Sequence, residues 1–327
     1  MFCLLINKKS LLQLYLLLYL TILQLSCQAE IYPNRPLRLV VPYAVGGGGD
    51  TIARLMSPKL REAMKQTVVI DNRPGGGTVI GTDLVAKSIP DGYTFLINTA
   101  AIAINHTLIK SLPYHVEKDF IPVTQLAILP NLLVVHPSLP INTVKELITY
   151  TKLNSNLSYG SSGIGTGAHL AGALFTHMSG ITMIHIPYKG GGAIIPDIIA
   201  GRIQLTFATI PSSITLVKNG KVRAVAVASS KRSVALPDIP TVSEAALPGY
   251  DASNWLGIFL PSKTSQAKVM QLQSVMARVI FIPEVHDKLL SIGYEPLAST
   301  PQDFSKIMTD ELKRWRQAVI VSGAVAE

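Results

Sequence analysis

Twice in this chain a short apolar strand runs into a glycine-rich loop and straight into a helix start, and that repeat constrains the fold more than any other feature. The first copy is Val40-Val41-Pro42-Tyr43-Ala44-Val45-Gly46-Gly47-Gly48-Gly49-Asp50-Thr51. The second is the strand at 157–159 followed by Gly160-Ser161-Ser162-Gly163-Ile164-Gly165-Thr166-Gly167. Glycines let the backbone turn sharply and let another molecule approach its N–H groups. Exposed amides at the positive end of a helix dipole hold a carboxylate or phosphate without Lys or Arg. The plainer reading of either loop is a strand-to-helix turn. Two such loops in one chain predict two lobes facing one anionic ligand. At Gly47 the sequence leaves room only for the ligand or for a backbone with φ above zero. Asp50 reads foremost as a cap of the following helix, with contact to a ligand amine as the alternative.

Between the loops, β-branched runs alternate with amphipathic stretches, the pattern of strands joined by crossover helices. Strands are predicted at 37–41, 68–72, 94–98, 157–159, 183–187, 203–208, 222–228 and 255–260. Helices are predicted at about 51–65 (kinked at Pro58), 80–88, 143–153, 168–179, 193–200, 267–280, 283–291 and 301–321. Residues 99–105 read as a connection whose small side chains, Thr99 first, face the ligand. The chain passes to the second lobe near 124–135 and returns through the Pro-rich stretch 236–249. Trp255 and Tyr250 read as hinge packing or core ahead of cleft lining, and for the Gly190–Gly192 loop, bordering the cleft is the lesser reading.

Residues 1–29 carry Lys8 and Lys9 followed by a leucine-rich run, the order of a secretory signal peptide, and Cys27-Gln28-Ala29 supplies a small-x-small cleavage site. The expected mature chain is periplasmic and begins at Glu30. Acylation of Cys27 is the lesser alternative, because Gln24 stands where a lipoprotein signal favours an aliphatic residue. Both cysteines, Cys3 and Cys27, fall in this leader, which excludes a disulfide, a thiol nucleophile or a sulfur-bound metal from the mature chain. Removing two lysines takes the formal net charge from +9 to +7. The remaining basic residues are scattered, which argues against a nucleic-acid partner.

Enzymatic readings fare poorly. Gly163-x-Gly165-x-x-Ala168 fits a dinucleotide fingerprint in letters, but the acid expected about 20 residues on is missing. The first loop lacks the Gly-Lys-Ser/Thr ending of a P-loop, and no Gly-x-Ser-x-Gly elbow is present. Ser162 with His169 leaves a hydrolase as the rival of a different class. The histidines show no metal spacing. Neither a cofactor nor a metal is expected.

Motifs along nearly the whole mature chain resemble one family. They include Tyr32-Pro33-x-Arg35-Pro36-x-Arg38, Asp71-Asn72-Arg73-Pro74-Gly75, Pro90-Asp91-Gly92-Tyr93-Thr94, Leu112-Pro113-Tyr114, Tyr159-Gly160-Ser161-Ser162-Gly163-x-Gly165-Thr166, Pro187-Tyr188-Lys189-Gly190, 231–241 and Leu247-Pro248-Gly249-Tyr250. In these the chain resembles the solute receptors of tripartite tricarboxylate transporters, the Bug-type extracytoplasmic binding proteins. The resemblance implies an α/β, two-lobed periplasmic binding protein fold of type II-like form. Each lobe is then a mainly parallel sheet flanked by helices, and a small organic acid binds in the cleft, often through waters. Lobe 1 is expected to comprise 30–127 plus 243–327, and lobe 2 128–242. The resemblance further implies a monomer that passes a carboxylate or dicarboxylate to membrane permease subunits, a role in ligand sensing being the alternative. The ligand-binding positions that carry over are Tyr43, Ala44, Gly46, Gly47, Gly48, Asp50, Thr99, Ser161, Gly163, Gly165 and Thr166. The family often has Gly-Ala-Gly-Gly where this chain has Gly75-Gly76-Gly77-Thr78, and often an acid near Ala208-Thr209. The distal end of the pocket is therefore expected to be this chain's own.

Overall fold

The first strand, β1 (Leu37–Val41), is buried except at Arg38, and the first glycine loop leaves its C-terminal end inside a six-stranded sheet. The computed structural model describes residues 32–325 except 155; the leader expected at 1–29, with both cysteines, lies outside the described residues. After β1 come α1 (Gly48–Met64), β2 (Val68–Asn72), α2 (Val79–Ala86), β3 (Thr94–Thr99), α3 (Ala101–Leu108), α4 (Val116–Asp119) and β4 (Phe120–Ile128). α1 forms because Ile52, Ala53, Met56, Leu60 and Met64 fall on one face and are buried, and it runs on through Pro58.

The chain then builds a second, five-stranded sheet from β5 (Asn131–Val135), α5 (Val144–Leu153), β6 (Ser158–Ser161), α6 (Gly167–Ser179), β7 (Ile184–Pro187), α7 (Gly191–Ile199), β8 (Leu205–Thr209), α8 (Ile210–Lys218) and β9 (Arg223–Val227), with α9 (Val242–Ala245) packed on it. It returns through β10 (Trp255–Pro261), α10 (Gln266–Ile280), α11 (Pro283–Ser291), β11 (Glu295–Pro296) and α12 (Pro301–Ser322). The strand orders are β11-β4-β10-β3-β1-β2 and β7-β6-β8-β5-β9.

Both sheets are mixed, where mainly parallel ones were expected. β1 pairs in parallel with β2 and β3, and β6 with β7 and β8. β10 runs antiparallel to β3 and β4, and β5 antiparallel to β8 and β9. The cause is the crossing itself: β5 and β10 enter their sheets from the cleft side, opposite to the strands that lead into the glycine loops. Burial on both faces suits β5. Leu133 and Val135 belong to one apolar cluster and Leu132 and Val134 to another, each such side chain contributing about 1.5–3 kcal/mol.

Val242, Leu247, Tyr250 and Ala252 are buried with the second sheet, so by packing the return crossing falls at 253–254, beyond the 242/243 boundary expected. Tyr250 is core: its hydroxyl donates to Ala171 O at 2.8 Å. The two crossings touch, Leu129 N–H donating to Asn254 O at 2.9 Å. α12 clamps them, with Arg314 Nη2 donating to Ser253 O at 2.9 Å and Glu311 accepting from Trp255 Nε1 at 2.6 Å. Trp255, packed edge-on against Phe304, is hinge and core.

Candidate functional site

Five helices begin at the cleft between the sheets. Gly47–Gly49 at the head of α1, Thr99 ahead of α3, Thr166–Ala168 of α6, Gly191 of α7 and Thr209 of α8 all line one cavity of ≈ 30 Å³. None of its lining residues is charged. The first-turn N–H groups of a helix have no intrahelical acceptor, so several positive dipole ends converge with no cation to compete for an anion.

The floor of this cavity is Asn131, the first residue of β5. Its side chain is fully buried, and among the described residues neither Nδ2 nor Oδ1 has a hydrogen-bond partner. Leaving such an amide unpaired costs about 1–3 kcal/mol. Asn254, on the other crossing, lies beside it: a Cβ on Gly167 would meet Asn254 Nδ2 at 2.9 Å and Asn131 Nδ2 at 3.4 Å. Asn254 Oδ1 accepts from the N–H groups of Ala100 and Trp255, which turns its amide nitrogen toward the head of α6.

The eleven positions expected from sequence divide into two groups. Tyr43, Gly47, Gly48, Thr99 and Thr166 line the cavity. Tyr43 OH donates to Asn98 Oδ1 at 3.0 Å and lies 2.7 Å from Thr99 Oγ1, tying the first loop to the head of α3. Thr166 caps α6, accepting from His169 N–H while its hydroxyl donates to Gly163 O at 2.6 Å.

The second group shapes the loops instead. Asp50 is 1% exposed, and its carboxylate accepts from Gly46 N–H, Arg54 Nε and Asn72 Nδ2, each at 2.9 Å. Burial raises its pKa, but the hydrogen bonds from Arg54, Gly46 and Asn72 outweigh that and hold it below the usual carboxylate range. Gly46 carries the left-handed backbone of the first loop (φ +83°). Gly47, where a positive φ or the ligand was expected, has φ −73° and ψ 164°, a backbone any residue adopts. Ala44 N–H donates to Lys189 O across the cleft at 3.3 Å. Ser161 Oγ lies 2.7 Å from His185 Nε2 and 3.2 Å from Gly163 O. Gly165 packs against Asn105, whose Oδ1 would sit 1.7 Å from a Cβ there. Gly163 lines a second, outer chamber with Ser162.

His169, the base of the rival hydrolase, accepts from Gly165 N–H at Nδ1 (3.2 Å) and stacks on His185. It is committed to the loop. Sequence reading missed Asn131 and Asn254; Gly191 and Thr209, which also line the cavity, fall in stretches it had singled out without naming them as contacts. The signal for the two asparagines was a lone amide at the head of an apolar strand, at each of the two points where the chain changes lobes.

Residues 52–323 match the tripartite tricarboxylate transporter family receptor. The chain belongs to that family. The receptor is 36% identical to R. palustris Rpa4515, solved with adipate, the two superposing with TM-score 0.87 over 90% of this chain and 99% of that one. It is 30% identical to the periplasmic binding protein BugD (TM-score 0.87, over 90% and 100%). To MatC from Rhodopseudomonas palustris with bound malate it is 27% identical (TM-score 0.84, over 88% and 100%). As a member of a receptor family it binds its solute without turning it over, and its two-lobed α/β fold is that of the periplasmic binding proteins. No described helix is long and apolar enough to cross a membrane.

Proposed function

We propose that this receptor captures a small dicarboxylate in the cleft and delivers it, as a periplasmic monomer, to the permease of a tripartite tricarboxylate transporter. The carrying observation is Asn131, a fully buried amide with no partner among the described residues, set where helix heads from both lobes converge. A carboxylate satisfies the donor half of that amide: one oxygen accepts from Asn131 Nδ2 while free N–H groups at the heads of α1 and α6 take the remaining lone pairs. Tyr43, Gly47, Gly48, Thr99 and Thr166 are the contact residues in this reading. Ala44, Gly46, Asp50, Ser161, Gly163 and Gly165 hold the loops in shape. Similarity to proteins solved with adipate and malate supports the diacid class.

A thermal-shift screen of dicarboxylates, monocarboxylates, sugars and amino acids tests this. An acid at 100 times its Kd stabilises the fold by about 2.7 kcal/mol. A transition moved by sugars and by no carboxylate contradicts the proposal.

A further inference from the structure

The inner cavity is too small for a whole diacid. At ≈ 30 Å³ it has room for a carboxylate group, since one water already requires about 10–15 Å³ on this measure. Ser162 lines both this cavity and a second chamber of ≈ 340 Å³. That chamber has one wall from each lobe: Pro42, Gly75–Thr78 and Ile109 on one side, residues 162–164 and 187–189 on the other. Backbone seams between the lobes frame it. Ala44 N–H donates to Lys189 O at 3.3 Å, and Gly163 lies so close to Gly77 that a Cβ would sit 3.4 Å from its Cα.

Among the described residues the lining is apolar at Pro42, Ile109, Ile164 and Pro187, and its single charged residue is Lys189. Among the described residues Lys189 is engaged in no ion pair. An anion-binding inner end, an apolar passage and a cation beyond it fit an elongated acid with negative charge at both ends.

Resting on the carboxylate reading above, we propose that the outer chamber is the distal subsite of this receptor and that Lys189 selects elongated acids whose far end carries a second anionic group. The chain of the ligand leaves the inner cavity past Ser162. Its far carboxylate meets the Lys189 ammonium, which adds a charge-assisted hydrogen bond. Short diacids held at the inner end stop before Lys189 and gain nothing from it.

Calorimetric titration with succinate, adipate and hexanoate tests this on wild type, Lys189→Met and Lys189→Arg. Adipate is expected to bind wild type about tenfold more tightly than hexanoate, the worth of one charge-assisted contact, and more tightly than succinate. In Lys189→Met the adipate-to-hexanoate ratio falls to within about twofold, and in Lys189→Arg it recovers. Succinate binding wild type as tightly as adipate, or a ratio unchanged in Lys189→Met, overturns the distal subsite while leaving the inner carboxylate site standing. Failure of all three acids to bind overturns the carboxylate reading itself.

Discussion

His169 and His185 stack face to face, their ring centroids 4.2 Å apart and their planes 17° from parallel, and each ring holds one part of the second glycine loop. His185 Nε2 meets Ser161 Oγ at 2.7 Å, and His169 Nδ1 accepts from Gly165 N–H at 3.2 Å. Burial, then the neighbouring His185, pushes the His169 pKa down to about 3; burial pushes His185 down to about 4. Both rings are therefore neutral in the folded chain. Protonated His169 loses its acceptor at Nδ1 and sets a cation against its stacked partner.

The sign follows from folded values lying below the unfolded value near 6.5. The contribution to stability is complete above pH 6.5 and is lost as pH falls toward 4 and then 3. For His169 the slope approaches about 1.4 kcal/mol per pH unit; half-buried His185 adds less, because solvent screens it. Tm measured without ligand from pH 7 to pH 4 is expected to fall, and to fall less steeply in His169→Gln. A flat wild-type profile over that range contradicts the arrangement.

Lobe closure has its own probe in Gly77. A Cβ there would lie 1.6 Å from Ile164 O on the opposite lobe, and the residue has φ +58°. Gly77→Ala is expected to cost about 1–2 kcal/mol of stability for the left-handed backbone. It bars the closed form outright, so affinity should drop by about a hundredfold or more. Small-angle scattering should show wild type contracting on saturation with ligand and Gly77→Ala not contracting. Equal contraction by both would mean that the Gly77–Ile164 seam does not form in the bound state.

The first loop separates bulk from charge. Gly48 faces Thr209 Oγ1 across the cleft, at 3.0 Å from a Cβ placed on it, with Leu129 at 3.3 Å. Gly48→Val fills the inner cavity and is expected to abolish binding. Arg54 is spent on Asp50 and on Asn72 Oδ1 at 3.0 Å, outside the cavity. Arg54→Ala should weaken binding less than about tenfold, in keeping with the modest worth of a half-exposed ion pair. Titration of both variants, each checked for folding by circular dichroism, decides between an amide cradle and a salt bridge to the ligand.

Much of the fold was legible because hydrophobic period and glycine punctuation are local signals. Strands at 37–41, 68–72 and 255–261 and helices at 283–291 and 301–322 stand where the pattern put them, within a residue or two. α3 was read as a connection because Thr99-Ala100-Ala101 looks like a small-residue loop. It is a helix since Ala101 to Asn105 are buried all round, which no amphipathic period reveals. The sheets expected to be mainly parallel are mixed at β5 and β10 because strand direction depends on where the chain enters a sheet.

Within the site, the loops were legible but the roles inside them were not. Ser161 and Asp50 carry the oxygens expected to meet a ligand, yet they are held by His185 and by Arg54 and Asn72. Those partners lie 24, 4 and 22 residues away in sequence, and only the two placed by folding, His185 and Asn72, were out of reach of a local reading.

Asn131 gives the most direct test, by calorimetric titration of a diacid such as adipate into wild type, Asn131→Leu and Asn131→Asp. In the absence of ligand Asn131→Leu is expected to be stabilised by about 1–3 kcal/mol, because an unpartnered buried amide is removed, while its affinity for the acid falls by about tenfold or more. Asn131→Asp keeps the shape and sets a carboxylate against the ligand's own, so it should show no measurable binding at pH 7. Binding by Asn131→Asp equal to wild type would contradict the claim that helix amides and the Asn131 side chain hold an acid at this point.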